Sequence, residues 1–226
     1  MPRSTKRLMN SNTQSESVRA IDTVVFDLGN VLIEWNPRAL YRKIFGTDEA
    51  GMEYFLSEVC NTAWNEQQDC GRTWADGIAT AIKQHPEHEP HIRAFHERWE
   101  EMIPGAIDAT VDVLAQLRTL DIRLLALTNW SDETFPIAQR RFPFLSWFEG
   151  IIVSGRERLI KPDPAIFKLM IDRYQLRPGS TVFIDDSICN VEASAAEGIH
   201  GIHFKSAPEL ACKLRALGIP LADRSC

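Results

Sequence analysis

Four short stretches of the chain carry polar side chains directly behind, or close to, apolar runs. Val24-Val25-Phe26 runs into Asp27, and Leu124 to Leu127 runs into Thr128 and Asn129. Val182-Phe183-Ile184 runs into Asp185 and Asp186, and Lys161 precedes Pro162 in the loop after a third apolar run. Apolar runs of this kind read as buried parallel strands, and open α/β sheets bind ligands at the carboxyl ends of their strands. In a parallel sheet all of these groups share one edge. Asp27 alone reads equally well as the cap of the turn that Gly29 permits; the convergent set points to a site. Three carboxylates in one crevice repel, at roughly 4 Å and an effective dielectric near 20, by about 4 kcal/mol per pair. A hard divalent cation resolves this, and Mg²⁺ is the usual choice where few carboxylates are joined by phosphate oxygens. In that chemistry Asp27 is metal ligand and nucleophile, and Thr128 hydrogen-bonds a phosphoryl oxygen. Lys161 neutralises charge on the phosphoryl group and on Asp27. Attack on phosphorus gives an aspartyl-phosphate that water later cleaves.

The elements that must position these groups follow a simple pattern. After the first strand, Asn36-Pro37 reads as an N-cap with proline at the first helical position. From there to about Met102 the pattern predicts helices over 37–45, 48–60, 73–84 and 88–102, with no strand. Trp64 to Gly71 is expected as a loop of this segment. From Ala106 onwards strand and helix alternate: a helix over 106–120, strands at 122–129, 150–154, 181–186 and 200–204, and helices beginning near Asp132 (capped by Ser131), Pro164, Ser187 and Ala207. Such alternation means right-handed βαβ units and a parallel sheet covered on both faces. The expected architecture is thus α/β: a Rossmann-like core formed by residues 21–35 and 103–226, an all-helical cap over 36–102, and a loose tail over 1–20.

The totals narrow the function. A chain of 226 residues with 44% hydrophobic content makes a folded protein rather than a disordered one. The net charge of −6 and the lack of a basic patch argue against a nucleic-acid partner. No apolar run is long enough to span a bilayer, and the polar first twenty residues lack the apolar block of a secretory signal. Cys60, Cys70, Cys189, Cys212 and Cys226 show no zinc-type spacing and read as buried or idle thiols of a reducing cytosol. A cytoplasmic protein with a small-molecule partner is the expectation.

Four segments, in order, resemble the motifs of the haloacid dehalogenase superfamily of hydrolases: Phe26-Asp27-Leu28-Gly29-Asn30-Val31, Leu127-Thr128-Asn129, Lys161-Pro162-Asp163-Pro164 and Phe183-Ile184-Asp185-Asp186-Ser187. The resemblance covers residues 22–217. It implies a Rossmann-like core with a helical cap after strand one. It also implies Asp27 as nucleophile, Thr128 and Lys161 as phosphate binders, and Asp185 and Asp186 as the acidic metal motif. Asp186 is then the direct Mg²⁺ ligand, joined by Asp27 and the backbone carbonyl of Gly29. One position departs from the pattern: family phosphatases usually carry a second aspartate, the general acid/base, where this chain has Gly29. General acid/base catalysis contributes roughly 10²–10⁴-fold, so its loss slows turnover without abolishing it. The Asp-Leu-Gly-Asn-Val form is similar to that of a bacterial branch that includes glucose-1-phosphate phosphatases, whose anomeric leaving group softens the loss.

The resemblance thus implies a Mg²⁺-dependent phosphatase acting on small phosphate monoesters, sugar phosphates foremost. Asn129 joins Thr128 and Lys161 around the phosphoryl group, and Trp130 lines the pocket or packs under the cap; Trp64, Glu66, Gln67 and Asp69, in a cap loop over the crevice, either select the substrate or form a surface turn. Two rivals are a 2-haloacid dehalogenase, in which Asp27 attacks carbon without a metal, and a weak Mg²⁺- or phosphate-binding module. Other features read more plainly. His85, His88 and His91 are separated by prolines and suit a solvated cap loop better than a zinc site. Arg156 and Arg158 are read as solvated, and Phe142, Phe144, Trp147 and Phe148 as core or cap contacts.

Overall fold

A computed structural model describes residues 20–222. The expected N-terminal tail lies outside them except for Ala20, as does Cys226. Five parallel strands form one sheet: β1 (Thr23–Phe26), β2 (Arg123–Thr128), β3 (Gly150–Val153), β4 (Thr181–Asp185) and β5 (His200–His203), in the order β3-β2-β1-β4-β5. β1 is central, and in register Phe26 lies between Ala126 of β2 and Ile184 of β4. The ladder continues one residue further, with the Asp27 N–H donating to the Ile184 carbonyl at 2.8 Å.

Side chains alternate across a strand, so each strand feeds two cores. Val25, Leu125, Leu127 and Phe183 pack on one face with Ile166, Phe167 and Met170. Val24, Phe26, Leu124, Ala126 and Ile184 pack on the other with Leu114, Leu117, Leu210 and Leu214. Burial on both faces is what turned these strands into near-continuous apolar runs in the sequence.

Between β1 and β2 lie α1 (Pro37–Phe45), α2 (Glu49–Tyr54), α3 (Thr62–Asp69), α4 (Trp74–Gln84), α5 (Glu89–Glu97) and α6 (Asp108–Leu117). The first five, with a π turn at Phe55–Val59 and a 3₁₀ turn at Trp99–Met102, make the helical insert. Its centre is aromatic: ring centroids of Tyr41 and Phe55 are 4.8 Å apart, and those of Trp64 and Phe95 5.2 Å. The remaining helices are α7 (Phe135–Arg141), α8 (Ser154–Glu157), α9 (Pro164–Tyr174), α10 (Ile188–Ala196) and α11 (Ala207–Ala216).

Three expectations need correction. Thr62–Asp69 is a helix rather than a loop, because Asn61 caps it: its Oδ1 accepts the Trp64 N–H at 2.8 Å. The helix after β2 starts at Phe135, with Pro136 in its first turn, not near Asp132. Ser131 Oγ accepts the Glu133 N–H at 3.3 Å in the turn ahead of that helix, and also the Trp74 indole N–H at 3.0 Å from the insert. Finally, Cys60, Cys70 and Cys189 are free thiols, but Cys212 is disulfide-bonded, so the reading of idle thiols fails there.

Candidate active site

The carboxyl ends of β1, β2 and β4 and the loop after β3 deliver their polar groups to one edge, beneath the helical insert. Asp27 is buried directly after β1, where its Oδ1 accepts the N–H of Leu28 at 2.7 Å. The buried Lys161 Nζ lies 2.9 Å from the same oxygen. Lys161 Nζ also donates to Asp185 Oδ2 at 2.7 Å and to the Leu127 carbonyl at 3.0 Å. An ammonium has three donors, and all three are satisfied by the protein. Burial alone pulls this ammonium down, but the carboxylates of Asp27 and Asp185 outweigh it and leave its pKa raised. Burial, reinforced by the charges of Asp185 and Asp186, holds Asp27 above the usual carboxylate range despite Lys161.

Asp185 is fully buried, and its oxygens also accept from the Ser187 N–H at 2.8 Å and from Asn190 Nδ2 at 3.0 and 3.1 Å. Asp186 is exposed; burial of its carboxyl and the neighbouring Asp185 raise its pKa, while the Asn30 side chain donates to it. Oxygens of Asp27, Asp185 and Asp186 all lie within 4.8 Å of one another, a hard donor set that suits a divalent cation. Asp185 is saturated by Lys161, Ser187 and Asn190, so Asp27 and Asp186 are the carboxylates with capacity to spare.

A cavity of about 270 Å³ opens over this edge. Asp27, Gly29, Lys161 and Asp186 form its floor, Asn65, Glu66 and Asp69 contribute from α3, and Trp35, Trp99 and Trp130 supply aromatic surface. Trp130 does both things expected of it: it lines the cavity and packs its ring 5.4 Å from that of Trp99. A larger hollow of about 710 Å³ lies at the opposite edge, but its Arg123 and Arg177 are paired with Glu149 and Asp22, and its Arg118 lies over the Trp147 ring.

Some expected residues stand elsewhere. Gln67 is outside the cavity, its Oε1 accepting from Arg72; successive helical residues point about 100° apart, so Glu66 and Gln67 cannot face the same space. Asn129 lines the cavity but spends its amide on Lys161, donating to its carbonyl at 3.0 Å and accepting its N–H at 2.9 Å. Thr128 is buried at the end of β2 and is not among the cavity-lining residues. Conversely, Asn30 and Asn190 belong to the site without any sequence expectation, while Asp69, expected over the crevice beside Glu66, does line the cavity. Asn30 sits in the first motif at a φ of 53°, a conformation asparagine tolerates. Asn190 lies five residues past Asp185, on the first turn of α10, and had no signal of its own. Asp69 reaches the cavity from the end of a helix rather than from the expected loop. Among the described residues the histidines form no site of three or more ligands; His88 and His91 pack against Phe55 in the insert.

Comparison with known proteins settles the lineage. The profile of the haloacid dehalogenase-like hydrolases matches residues 21–198. The chain belongs to this family. The hydrolase is 33% identical to acyl-CoA dehydrogenase family member 10 of Mus musculus over 90% of its own length, but spans only 20% of that protein. It is 26% identical to the sesquiterpene phosphatase astK of Aspergillus oryzae, covering 85% of this chain and 94% of that one. It is also 26% identical to the phosphorylated carbohydrates phosphatase of Thermotoga maritima, over 81% and 84%. Among solved structures, a haloacid dehalogenase family enzyme of Bacteroides thetaiotaomicron in complex with magnesium and inorganic phosphate shares the fold, with a TM-score of 0.66 at 22% identity over 83% of this chain and 95% of that one. No helix among the described residues is long and apolar enough to cross a membrane.

Proposed function

We propose that this hydrolase is a Mg²⁺-dependent phosphatase of small phosphate monoesters, sugar phosphates foremost. The observation that carries the reading is Asp27 itself: a buried carboxylate at the end of the central strand, 2.9 Å from a buried lysine and open to a cavity beside two further aspartates. Asp27 is the nucleophile. Lys161 holds it in place and offsets its charge, and Asp185, anchored by Asn190 and Ser187, holds Lys161. With its three donors committed, Lys161 stabilises the incoming phosphoryl group mainly through its field rather than by a direct bond. Thr128, buried at the adjacent strand end and outside the cavity, would reach the phosphoryl group only if that end opened.

Asp27, Asp186 and the Gly29 carbonyl are the groups that would hold the cation. Bound there, Mg²⁺ supplies neutralisation of the acidic cluster and of the phosphoryl oxygens. Attack by Asp27 forms the aspartyl-phosphate and releases the alcohol; water then attacks phosphorus and restores the carboxylate. The helical insert, residues 36–102, acts as a cap that excludes bulk water and selects the leaving group. Tryptophan faces beside Asn65 and Glu66 suit a leaving group with both hydrocarbon and hydroxyl surface, and one relative is named for phosphorylated carbohydrates. An anomeric sugar phosphate, as in the glucose-1-phosphate branch, is the first ester to try.

The test is inorganic phosphate release across a library of phosphorylated metabolites, with Mg²⁺ and with EDTA. Mg²⁺-dependent turnover that disappears in Asp27→Asn is expected. Undiminished turnover in Asp27→Asn, or halide release from 2-chloropropionate in EDTA, overturns it.

A further inference from the structure

We infer that Asp69, reaching the cavity from the helical insert, is the general acid and base that Gly29 cannot be. This rests on the phosphatase reading above and names the residue that completes its proton transfers.

The geometry argues in three steps. First, Gly29 places no side chain over the nucleophile, and in-line displacement puts the leaving oxygen on the side of phosphorus opposite Asp27, toward the insert. The proton donor must therefore come from the insert. Second, of the cavity-lining residues contributed by the insert, only Glu66 and Asp69 are acids. Glu66 is exposed, whereas Asp69 is partly buried at the end of α3 and fixed there. Its Oδ2 accepts from Asn65 Nδ2 at 2.9 Å, its carboxylate takes the backbone N–H of Ser131 and its own carbonyl accepts from Ser154 Oγ. It is thus tied to the loop that follows Thr128 and Asn129. Third, the other end of the Asn65 amide, Oδ1, is buried with no partner. A buried orphan acceptor calls for an explanation. Turned over, the amide accepts from a protonated Asp69; as it stands, it donates to the carboxylate. Asn65 can hold Asp69 in either state, as a residue that gives and regains a proton requires.

The charges around Asp69 fit the role. Burial pushes its carboxyl up to about 7, opposed by the Ser131 N–H and aided by the charge of Glu66. The cavity adds Asp27, Asp186 and Lys161. On the elements packed against α3, Asp76 of α4 is bonded to Thr73, and Glu157 and Arg156 of α8 are paired outward with Arg173 and Asp132; Glu58 lies on the exposed side of the π turn. A group poised near neutrality serves as acid and base alike.

The proton account closes. As Asp27 Oδ bonds to phosphorus and the phosphorus–leaving-oxygen bond breaks, the Asp69 carboxylic acid gives its proton to the leaving oxygen. The Asp69 carboxylate then takes a proton from water as the water oxygen bonds to phosphorus and the Asp27–phosphorus bond breaks. Inorganic phosphate leaves, and both aspartates return to their starting states.

The experiment compares first-turnover rates on p-nitrophenyl phosphate, whose leaving group departs without a proton, with those on an alkyl phosphate, in Mg²⁺. Asp69→Asn should lose roughly 10²–10⁴-fold on the alkyl ester while keeping the p-nitrophenolate burst, which also reports that the variant is folded. Asn65→Ala, which removes a donor to the anion, should move the alkaline limb of the alkyl-ester pH profile upward. Because a Cβ at Gly29 meets nothing within 4 Å, Gly29→Asp in the Asp69→Asn background should restore alkyl-ester turnover. Equal losses on both esters, or an alkaline limb unmoved in Asn65→Ala, would overturn the assignment of Asp69 alone. A wild-type enzyme that releases phosphate from no ester would instead overturn the phosphatase reading and the role of Asp69 with it.

Discussion

Replacing Lys161 by methionine removes the cation that two buried carboxylates share. The ammonium lies 2.9 Å from Asp27 and 2.7 Å from Asp185, with its side chain 1% exposed. At an effective dielectric near 20 each attraction is worth roughly 6 kcal/mol. The carboxylates left behind, within 4.8 Å of each other, repel by roughly 3 kcal/mol at the same dielectric. Against these stands the desolvation of the ammonium, several kcal/mol, which the variant no longer suffers. Breaking one side of a buried ion pair costs about 3–5 kcal/mol in practice. For a protein of this size that lowers Tm by about 6–20 °C, at about 2–4 °C per kcal/mol. Urea unfolding in EDTA, with thermal melts alongside, measures it. Lys168→Met is the control: its partner Glu197 is 3.7 Å away, its side chain is 63% exposed, and the expected loss is below about 0.5 kcal/mol. A loss below about 1 kcal/mol for Lys161→Met would refute the reasoning that this lysine holds the acidic cluster together.

Other outcomes follow from the same geometry. Mg²⁺ at about a hundred times its Kd should raise stability by about 2.7 kcal/mol, and Asp186→Ala should remove most of that thermal shift; a shift unchanged in the variant would place the cation elsewhere. Asp69 binds its proton more tightly folded than unfolded, so stability should fall as pH rises from about 4 to about 7. Asp69→Asn should flatten that fall, by at most about 4 kcal/mol at about 1.36 kcal/mol per unit, and unfolding at pH 4.5 and 7.5 in EDTA checks it. Asn190→Ala frees the oxygens of Asp185 and should cost about 1.5–3 kcal/mol, the worth of hydrogen bonds to a charged group; circular-dichroism melts test it.

The core was legible because both faces of the sheet are covered. Burial of Val24 and Phe26 on one side and Val25 on the other writes an unbroken apolar run that only a central strand needs. The polar residues closing those runs had to share an edge once the strands were parallel, which is why Asp27, Lys161, Asp185 and Asp186 could be placed together. The insert was legible as helix but not as surface. Thr62–Asp69 is polar, its moment weak, and its cap signal at Asn61 sits before a stretch rich in Asn and Gln, so it passed for a loop. Which donors Lys161 and Asn129 commit, and to whom, is set by contacts between residues more than twenty positions apart, and no local pattern encodes them. Ser131 shows the same limit. Its hydroxyl takes the local Glu133 N–H as its type and place suggest, but the second bond, from Trp74, is a tertiary contact that the sequence does not show.

The central claim is that Asp27 becomes phosphorylated. The most direct measurement is peptide mass spectrometry of enzyme mixed with a turned-over phosphate ester in Mg²⁺ and quenched in acid within the first turnover. One phosphoryl group on the peptide containing Asp27, absent in Asp27→Asn, is the predicted result. Phosphate released at full rate with that peptide never modified would contradict the account.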